Sequence, residues 1–378
     1  MIRLQRKAGT FLPTAAQHHL LRAALLEDPV LVRQSFAAWT SRVELDTIEH
    51  GSMRLLPLLY RNLQRAGIDD PLLPRLKGIY RQVWFRNQLL LEHGARALRL
   101  LSEAGIATVV LKGAALIGSA YEDVALRPME DFDALVPRPQ FARAVEILRT
   151  AGWAFQPPLL DPEPHFVFQH AIGFRREGGG ELDLHWSSIG LPSGDAAAGA
   201  VLASTLPWRV GDQETRTLAP ADLLLQICGH ATRIHEEIPP IRWAADAFLL
   251  LASAPFPWET IAPLARLRGL SLVMHRALEY LRDGLGVAVP GDVLATLRSQ
   301  IRLRDHLTLN LRNGAGRLAY LQFVLETAQR VFTDLPGAPR RLLLVPRYLR
   351  SYCRVPTNRA LVRLVTSRLA LNTRRGRE

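Results

Sequence analysis

The apolar positions of this chain change period twice. Up to about residue 104 they recur at helical spacing, in Leu20 to Leu26, Val30 to Trp39 and Met53 to Leu63. After Pro71 and Pro74 a longer helical pattern runs from about Arg75 to Ala104, and Gly105 stands where a helix C-terminal glycine belongs. From Ile106 the period becomes that of strands. Ile106 to Leu111 is a β-branched apolar run and reads as a buried strand, Ala114 to Tyr121 as a helix, Phe132 to Val136 as a strand, and Gln140 to Thr150 as a helix ending at Gly152. Phe166 to Gln169 reads as a further strand. Ile172 to Arg176 and Glu181 to Trp186 flank Gly178-Gly179-Gly180, which predicts a hairpin. At Pro220, a residue suited to a first helical turn, the helical period returns. It runs to about His235, breaks at Pro239-Pro240, resumes from Ile241 to Leu251, and continues over about 258–283, 291–333 and 339–372. The pattern predicts an α+β chain: a helical region over 1–104, a small mixed-sheet core over 105–218, and a helical region over 219–378 with an arginine-rich tail.

Candidate chemistry collects in that core. Successive side chains on a strand point to opposite faces, so Asp131 and Asp133, on either side of Phe132, share a face. Two carboxylates side by side repel unless a cation lies between them, and hard oxygen donors at that spacing suit Mg²⁺ or Mn²⁺. The same alternation puts Glu181, Asp183 and His185 on one face of their strand and Leu182, Leu184 and Trp186 on the other, the core face. Gly113 at the start of a helix lets a backbone approach a phosphate, with Lys112 as a point charge beside it. Arg127, four residues before Asp131, is placed to reach the β- or γ-phosphate of a bound nucleotide, or else is a surface arginine before Pro128. His185 can orient a substrate or base, or simply be a satisfied polar histidine. Tyr121 reads as core. There is no Walker A loop, no Gly-x-Ser-x-Gly elbow and no kinase catalytic-loop signature.

Leu111-Lys112-Gly113, Tyr121, Arg127-Pro128 and Asp131-Phe132-Asp133 together resemble the uncharacterised bacterial nucleotidyltransferase family of the polymerase-beta-like nucleotidyltransferase superfamily. The chain departs from the superfamily signature at Ala114, where a serine is usual, and in a longer gap between Gly113 and Asp131. The resemblance implies a nucleotidyltransferase-like core that moves a nucleoside monophosphate from an NTP, with ATP the expected donor, and releases pyrophosphate. The acceptor is a small molecule, a peptide or protein, or RNA. It also implies that Asp183, in Asp-Leu-His-Trp, is the third acid. Asp131 and Asp133 would bridge two metal ions, and Asp183 would hold the ion beside the nucleophile and could take its proton. His230 and Asp246, in a run that resembles the family's helical follow-on, would close an acceptor pocket together with His185. The competing reading is a catalytically lapsed relative that binds nucleotide or a partner and serves as a regulatory or scaffold module.

Composition adds less. Two cysteines, Cys228 and Cys353, lie far apart, which suggests a reducing cytoplasm and argues against a disulfide framework or zinc cluster. The N-terminus lacks the apolar stretch of a signal peptide, and no apolar run reaches the roughly 18 residues of a membrane span. The formal charge of +12 favours anionic partners. Arginines from Arg340 to Arg377 could meet RNA or an anionic membrane surface, although few aromatics accompany them.

Overall fold

The computed structural model describes residues 11–159, 161–187, 202–232, 241–312, 344–361 and 363. Thr14 and Gln17 form a reciprocal capping box ahead of α1 (Ala15–Leu25): Gln17 N donates to Thr14 Oγ1 at 3.3 Å and Thr14 N to Gln17 Oε1 at 2.9 Å. Asp28 caps α2 (Pro29–Thr40), which begins with proline, where the missing N–H is not needed. The short α3 (His50–Met53) and α4 (Leu56–Arg65) lead to the 31-residue α5 (Leu73–Glu103).

Seven strands follow: β1 (Val109–Val110), β2 (Phe132–Leu135), β3 (Ala154–Phe155), β4 (Ala171–Arg176), β5 (Gly180–His185), β6 (Leu206–Val210) and β7 (Gln213–Thr217). They form one mixed sheet in the order β3-β4-β5-β2-β1-β7-β6. β2 lies parallel to β5 and antiparallel to β1, and β1 lies parallel to β7. The sheet segment also holds α6 (Lys112–Leu116), α7 (Phe141–Thr150) and α8 (Glu163–Phe168). The apolar face is covered by α5 and α7. Gly94 of α5 comes so close to Phe132 that an added Cβ would stand 2.4 Å from its ring, and Phe141 of α7 packs on Trp186 with ring centroids 4.4 Å apart.

The chain then turns helical: α9 (Pro220–Ala231), α10 (Arg242–Ser253), α11 (Trp258–Leu267), α12 (Ser271–Leu285), α13 (Gly291–Ser299), α14 (Leu303–Arg312) and α15 (Val345–Tyr352). These helices return to the start of the chain. Trp243 donates from Nε1 to the Phe11 carbonyl at 3.2 Å, and His18 Nδ1 lies 3.1 Å from the Tyr280 hydroxyl. One apolar cluster runs from Phe11 to Leu309 through all three stretches. A second, small cluster joins Phe168 of α8 to Tyr348 of α15, and Arg347 bridges to Asp161 and Glu163 at its edge. Among the described residues no helix is long and apolar enough to cross a membrane.

The expected hairpin is present as β4 and β5. Phe166 to Gln169, expected as a strand, lies instead mostly in α8. Pro164 sits in the first helical turn, and His165 and Phe168, three apart, are buried together; the apparent alternation of Phe166 and Phe168 is one helical turn. The β6–β7 hairpin is not visible in the apolar pattern, because Gln213-Glu214-Thr215-Arg216-Thr217 carries no apolar face. It is held by polar bonds, Thr215 Oγ1 donating to the Thr108 carbonyl at 3.0 Å and Thr217 Oγ1 to that of Val110 at 3.2 Å. The stretch 258–283, expected as continuous helix, breaks into α11 and α12. Residues 233–240 and much of 291–333 and 339–378, including Arg340, Arg341, Arg368, Arg374, Arg375 and Arg377, lie outside the described residues.

Leu182 and Leu184 are 1% and 0% exposed. Leu184→Ala should therefore cost about 2–5 kcal/mol. Gly94→Val should cost about 1–3 kcal/mol through overpacking against Phe132. Urea unfolding measures both, and a Gly94→Val variant as stable as the parent would show that α5 does not press on β2.

Candidate active site

The central strand pair sets the site. In the parallel register of β2 and β5, Asp133 stands directly beside Asp183, and Leu135 beside His185. Ligand atoms of Asp133, Asp183 and His185 lie within 4.8 Å of one another. Asp133 is 3% exposed and its Oδ1 takes two partners, Lys112 Nζ at 2.6 Å and His185 Nε2 at 2.7 Å. Asp131 precedes the strand, close enough to feel both other acids. Lys112 follows β1 after one residue, Leu111, whose N donates to the Asp133 carbonyl at 3.0 Å. Lys112 has φ +45°, in the left-handed region that side chains with a Cβ rarely enter, and its N–H donates to Gln226 Oε1 of α9 at 3.2 Å. Gly173 of β4 lies opposite Asp183. A Cβ there would stand 2.3 Å from the Gln156 carbonyl and 3.2 Å from Asp183 Oδ1, so only glycine fits between that carbonyl and the acid.

Electrostatics divides the acids. Burial works to raise the Asp133 carboxyl, but the charge of Lys112 and the hydrogen bond from His185 hold it well below the usual range. Burial, then the charges of Asp133 and Asp183, push Asp131 up to about 7. Burial and the charge of Asp133 raise Asp183 as well. Burial opposes the charge on Lys112, yet the three aspartates together raise its pKa. The cluster thus holds one firmly ionised acid and two that favour a proton when no cation compensates them. A carboxylate-rich donor set with one imidazole, in which the buried His185 Nδ1 has no hydrogen-bond partner, fits a hard divalent ion such as Mg²⁺ or Mn²⁺.

The other expected residues are placed differently. Arg127, expected at the β- or γ-phosphate, is 4% exposed and is engaged inside the fold. Its Nε and Nη2 each donate to Asp246 at 2.8 Å, and the Tyr121 hydroxyl donates to Asp246 Oδ1 at 2.6 Å. Asp246 is therefore taken up by Arg127 and Tyr121. His230 is exposed at the end of α9. Gly113 has a packing reason: a Cβ would stand 2.5 Å from Arg127 Nη1 and 2.8 Å from Met129 Sδ. The helix it belongs to, α6, is five residues long, and its first N–H is already donated to Gln226, which leaves a smaller phosphate cradle than expected. Lys112, expected to face phosphate, lies on Asp133.

Several residues escaped the sequence reading. Asn87 of α5 is fully buried and holds the loop before β2, donating to the Val124 and Arg127 carbonyls at 2.6 and 2.8 Å and accepting from Met129 N at 3.1 Å. Its signal was a polar residue at a core position, in step with Leu90 and Gly94. Arg242 donates from Nη1 to the Pro128 carbonyl at 2.8 Å and forms no ion pair among the described residues. Burial and the charge of Arg127 lower its pKa to about 10, and its own charge acts on Asp131.

Two predictions follow from this geometry. An aspartate whose folded pKa is raised contributes stability that is complete below its unfolded value near 4 and is lost as pH rises through the folded value. In metal-free protein Asp131 therefore withdraws stability as pH passes about 7. Asp131→Asn should hold a higher melting temperature than the parent above pH 7 and lose that advantage near pH 5. A constant difference across pH would show that Asp131 does not titrate there. Arg127→Met leaves Asp246 buried without its cation and should cost about 3–5 kcal/mol in denaturant unfolding; a cost below 1 kcal/mol would refute the clasp.

Comparison with known proteins supplies a family. Residues 51–286 match the model of a family described as uncharacterised nucleotidyltransferase. Among curated proteins nothing matches. Solved structures with some likeness include the antibiotic-resistance factor ANT(2'')-Ia, at 16% identity over 51% of this chain and 95% of that one, with a TM-score of 0.34. An antigenic nucleotidyltransferase-like protein from Paracoccidioides brasiliensis is similar at 16% identity over 57% and 94% of the two chains, with a TM-score of 0.35. Likeness at that level carries no weight for the site. The family match spans well over half of the chain, including Lys112, all three aspartates, Arg127 and Asp246, and the protein belongs to this uncharacterised nucleotidyltransferase family.

Proposed function

We propose that this protein is a metal-dependent nucleotidyltransferase that moves a nucleoside monophosphate from an NTP, with ATP the expected donor, to a nucleophile on a small-molecule, peptide or protein, or RNA acceptor. The observation that carries the reading is the register pairing of Asp133 with Asp183, with Asp131 on the approach to the same strand. A divalent ion held by these acids supplies charge neutralisation for the triphosphate and acidifies the attacking hydroxyl.

The chain's own groups divide the remaining work. His185 and Lys112 keep Asp133 ionised and fixed in orientation. Asp183, whose proton affinity burial and Asp133 raise, is suited to take the proton of the acceptor hydroxyl. Arg127 is a positioning residue: bound to Asp246, it fixes the loop that delivers Asp131. Arg242, with no carboxylate partner among the described residues and its charge felt at Asp131, is the guanidinium for the triphosphate, the role the sequence suggested for Arg127. Ala114 in the serine position favours the lapsed nucleotide-binding alternative.

Pyrophosphate release from each NTP, with Mg²⁺ and pools of candidate acceptors, tests the reading. Activity should appear with the parent and fall roughly 10²–10⁴-fold in Asp183→Asn. Arg242→Met should raise KM for the NTP more than it lowers kcat. Binding of Mg²⁺–NTP, read as a rise in melting temperature, without pyrophosphate release from any acceptor would transfer support to the lapsed module.

A further inference from the structure

Asp133 Oδ1 is fully engaged. A carboxylate oxygen offers two lone-pair directions, and Asp133 Oδ1 already has two partners, the Lys112 ammonium at 2.6 Å and the His185 imidazole at 2.7 Å. A divalent ion bound to the same oxygen must remove one of them. His185 is 2% exposed, and its carbonyl is held by Val136 N at 3.0 Å within the strand pair. Lys112 has a side chain 22% exposed on a flexible four-carbon stem. The lysine is the partner that can leave.

We propose that Lys112 is the resident counter-cation of the acid cluster, displaced from Asp133 by the metal and received by the triphosphate, so that metal and nucleotide bind as a coupled pair. The inference rests on the reading that these acids hold a divalent ion and an NTP. Its logic is a balance of charge. A bare ion that evicts the ammonium takes over the aspartates whose charges now hold it and places a dication beside it. The triphosphate gives the ammonium a new partner, so each ligand favours the other, and by linkage the effect is equal in both directions.

Residue choice agrees. Of the 47 Lys and Arg residues in the chain only Lys7, Lys77 and Lys112 are lysines. Arginine elsewhere in the site makes the fixed contact, as Arg127 does with two bonds to Asp246. An ammonium is a compact point charge that can be handed from one anion to another, whereas a guanidinium fork clamps a carboxylate in place. The left-handed backbone at Lys112, secured by Gln226, anchors the stem at its base.

Mn²⁺ binding, followed by electron paramagnetic resonance with and without a non-hydrolysable ATP analogue, tests the coupling. In the parent protein the analogue should tighten Mn²⁺ binding by about 5- to 150-fold. In Lys112→Met bare Mn²⁺ should bind tighter than in the parent by a similar factor, and the analogue should add little. If the parent binds Mn²⁺ and analogue together but Lys112→Met binds bare Mn²⁺ no more tightly, the lysine proposal falls while the transferase reading stands. If the parent binds neither ligand, both fall. Amine acylation of the parent provides a measurement independent of the variant's folding, with exposed Lys77 as internal standard. Mn²⁺ alone should raise labelling of Lys112 relative to Lys77, and the analogue should suppress it again. Unchanged Lys112 labelling on saturation with Mn²⁺ would overturn displacement.

Discussion

Two like charges forced side by side are the constraint on which this structure turns. Parallel pairing of β2 with β5 fixes Asp133 beside Asp183 through backbone hydrogen bonds that neither side chain can relax. The neighbourhood answers that enforced repulsion. Lys112 and His185 converge on one carboxylate oxygen, and Asp131 and Asp183 shift toward their protonated forms. Lys112 holds an unfavourable backbone conformation at this spot, and Gln226 is drawn in from another helix to secure it. The repulsion persists because the strands are held from behind: the face carrying Phe132, Leu182 and Leu184 is sealed by α5 and α7, so the pair cannot slide apart without opening the core.

Much of this was legible in the sequence where the signal was periodic and local. Asp131-Phe132-Asp133 and the alternation from Glu181 to Trp186 stated which side chains share a face, and the glycine cluster between 178 and 180 marked the hairpin that carries Asp183. Their alignment on adjacent strands is a property of register, and single strands do not display register. The β6–β7 hairpin was hidden because its strands satisfy themselves by polar bonds and bury little. The helix at Glu163–Phe168 was misread because six residues give a period-two and a helical pattern too little length to differ.

The site residues divide in the same way. The aspartates and Lys112 could be singled out from their near neighbours, although Lys112, expected at phosphate, lies on Asp133. Chemistry that depends on a distant partner could not. Arg127 resembles a phosphate ligand until Asp246, more than a hundred positions later, occupies it with two bonds. Arg242 resembles an ordinary helix-surface arginine until the fold places it next to that pair without a carboxylate of its own. Gly113 reads as a phosphate turn, and its immediate reason is the room it leaves for Arg127 and Met129.

The Arg127–Asp246 clasp also bears on how such a protein can change over evolutionary time. Asn87 on the long N-terminal helix grips the loop before β2 from one side, and Asp246 on a C-terminal helix grips it from the other through Arg127. The loop that leads into Asp131 is therefore a joint product of three segments scattered over the chain. The sheet segment cannot be excised and grafted elsewhere intact, because a cut between Arg127 and Asp246 strands a buried charge. Asn87, Arg127 and Asp246 are anchoring positions that depend on one another.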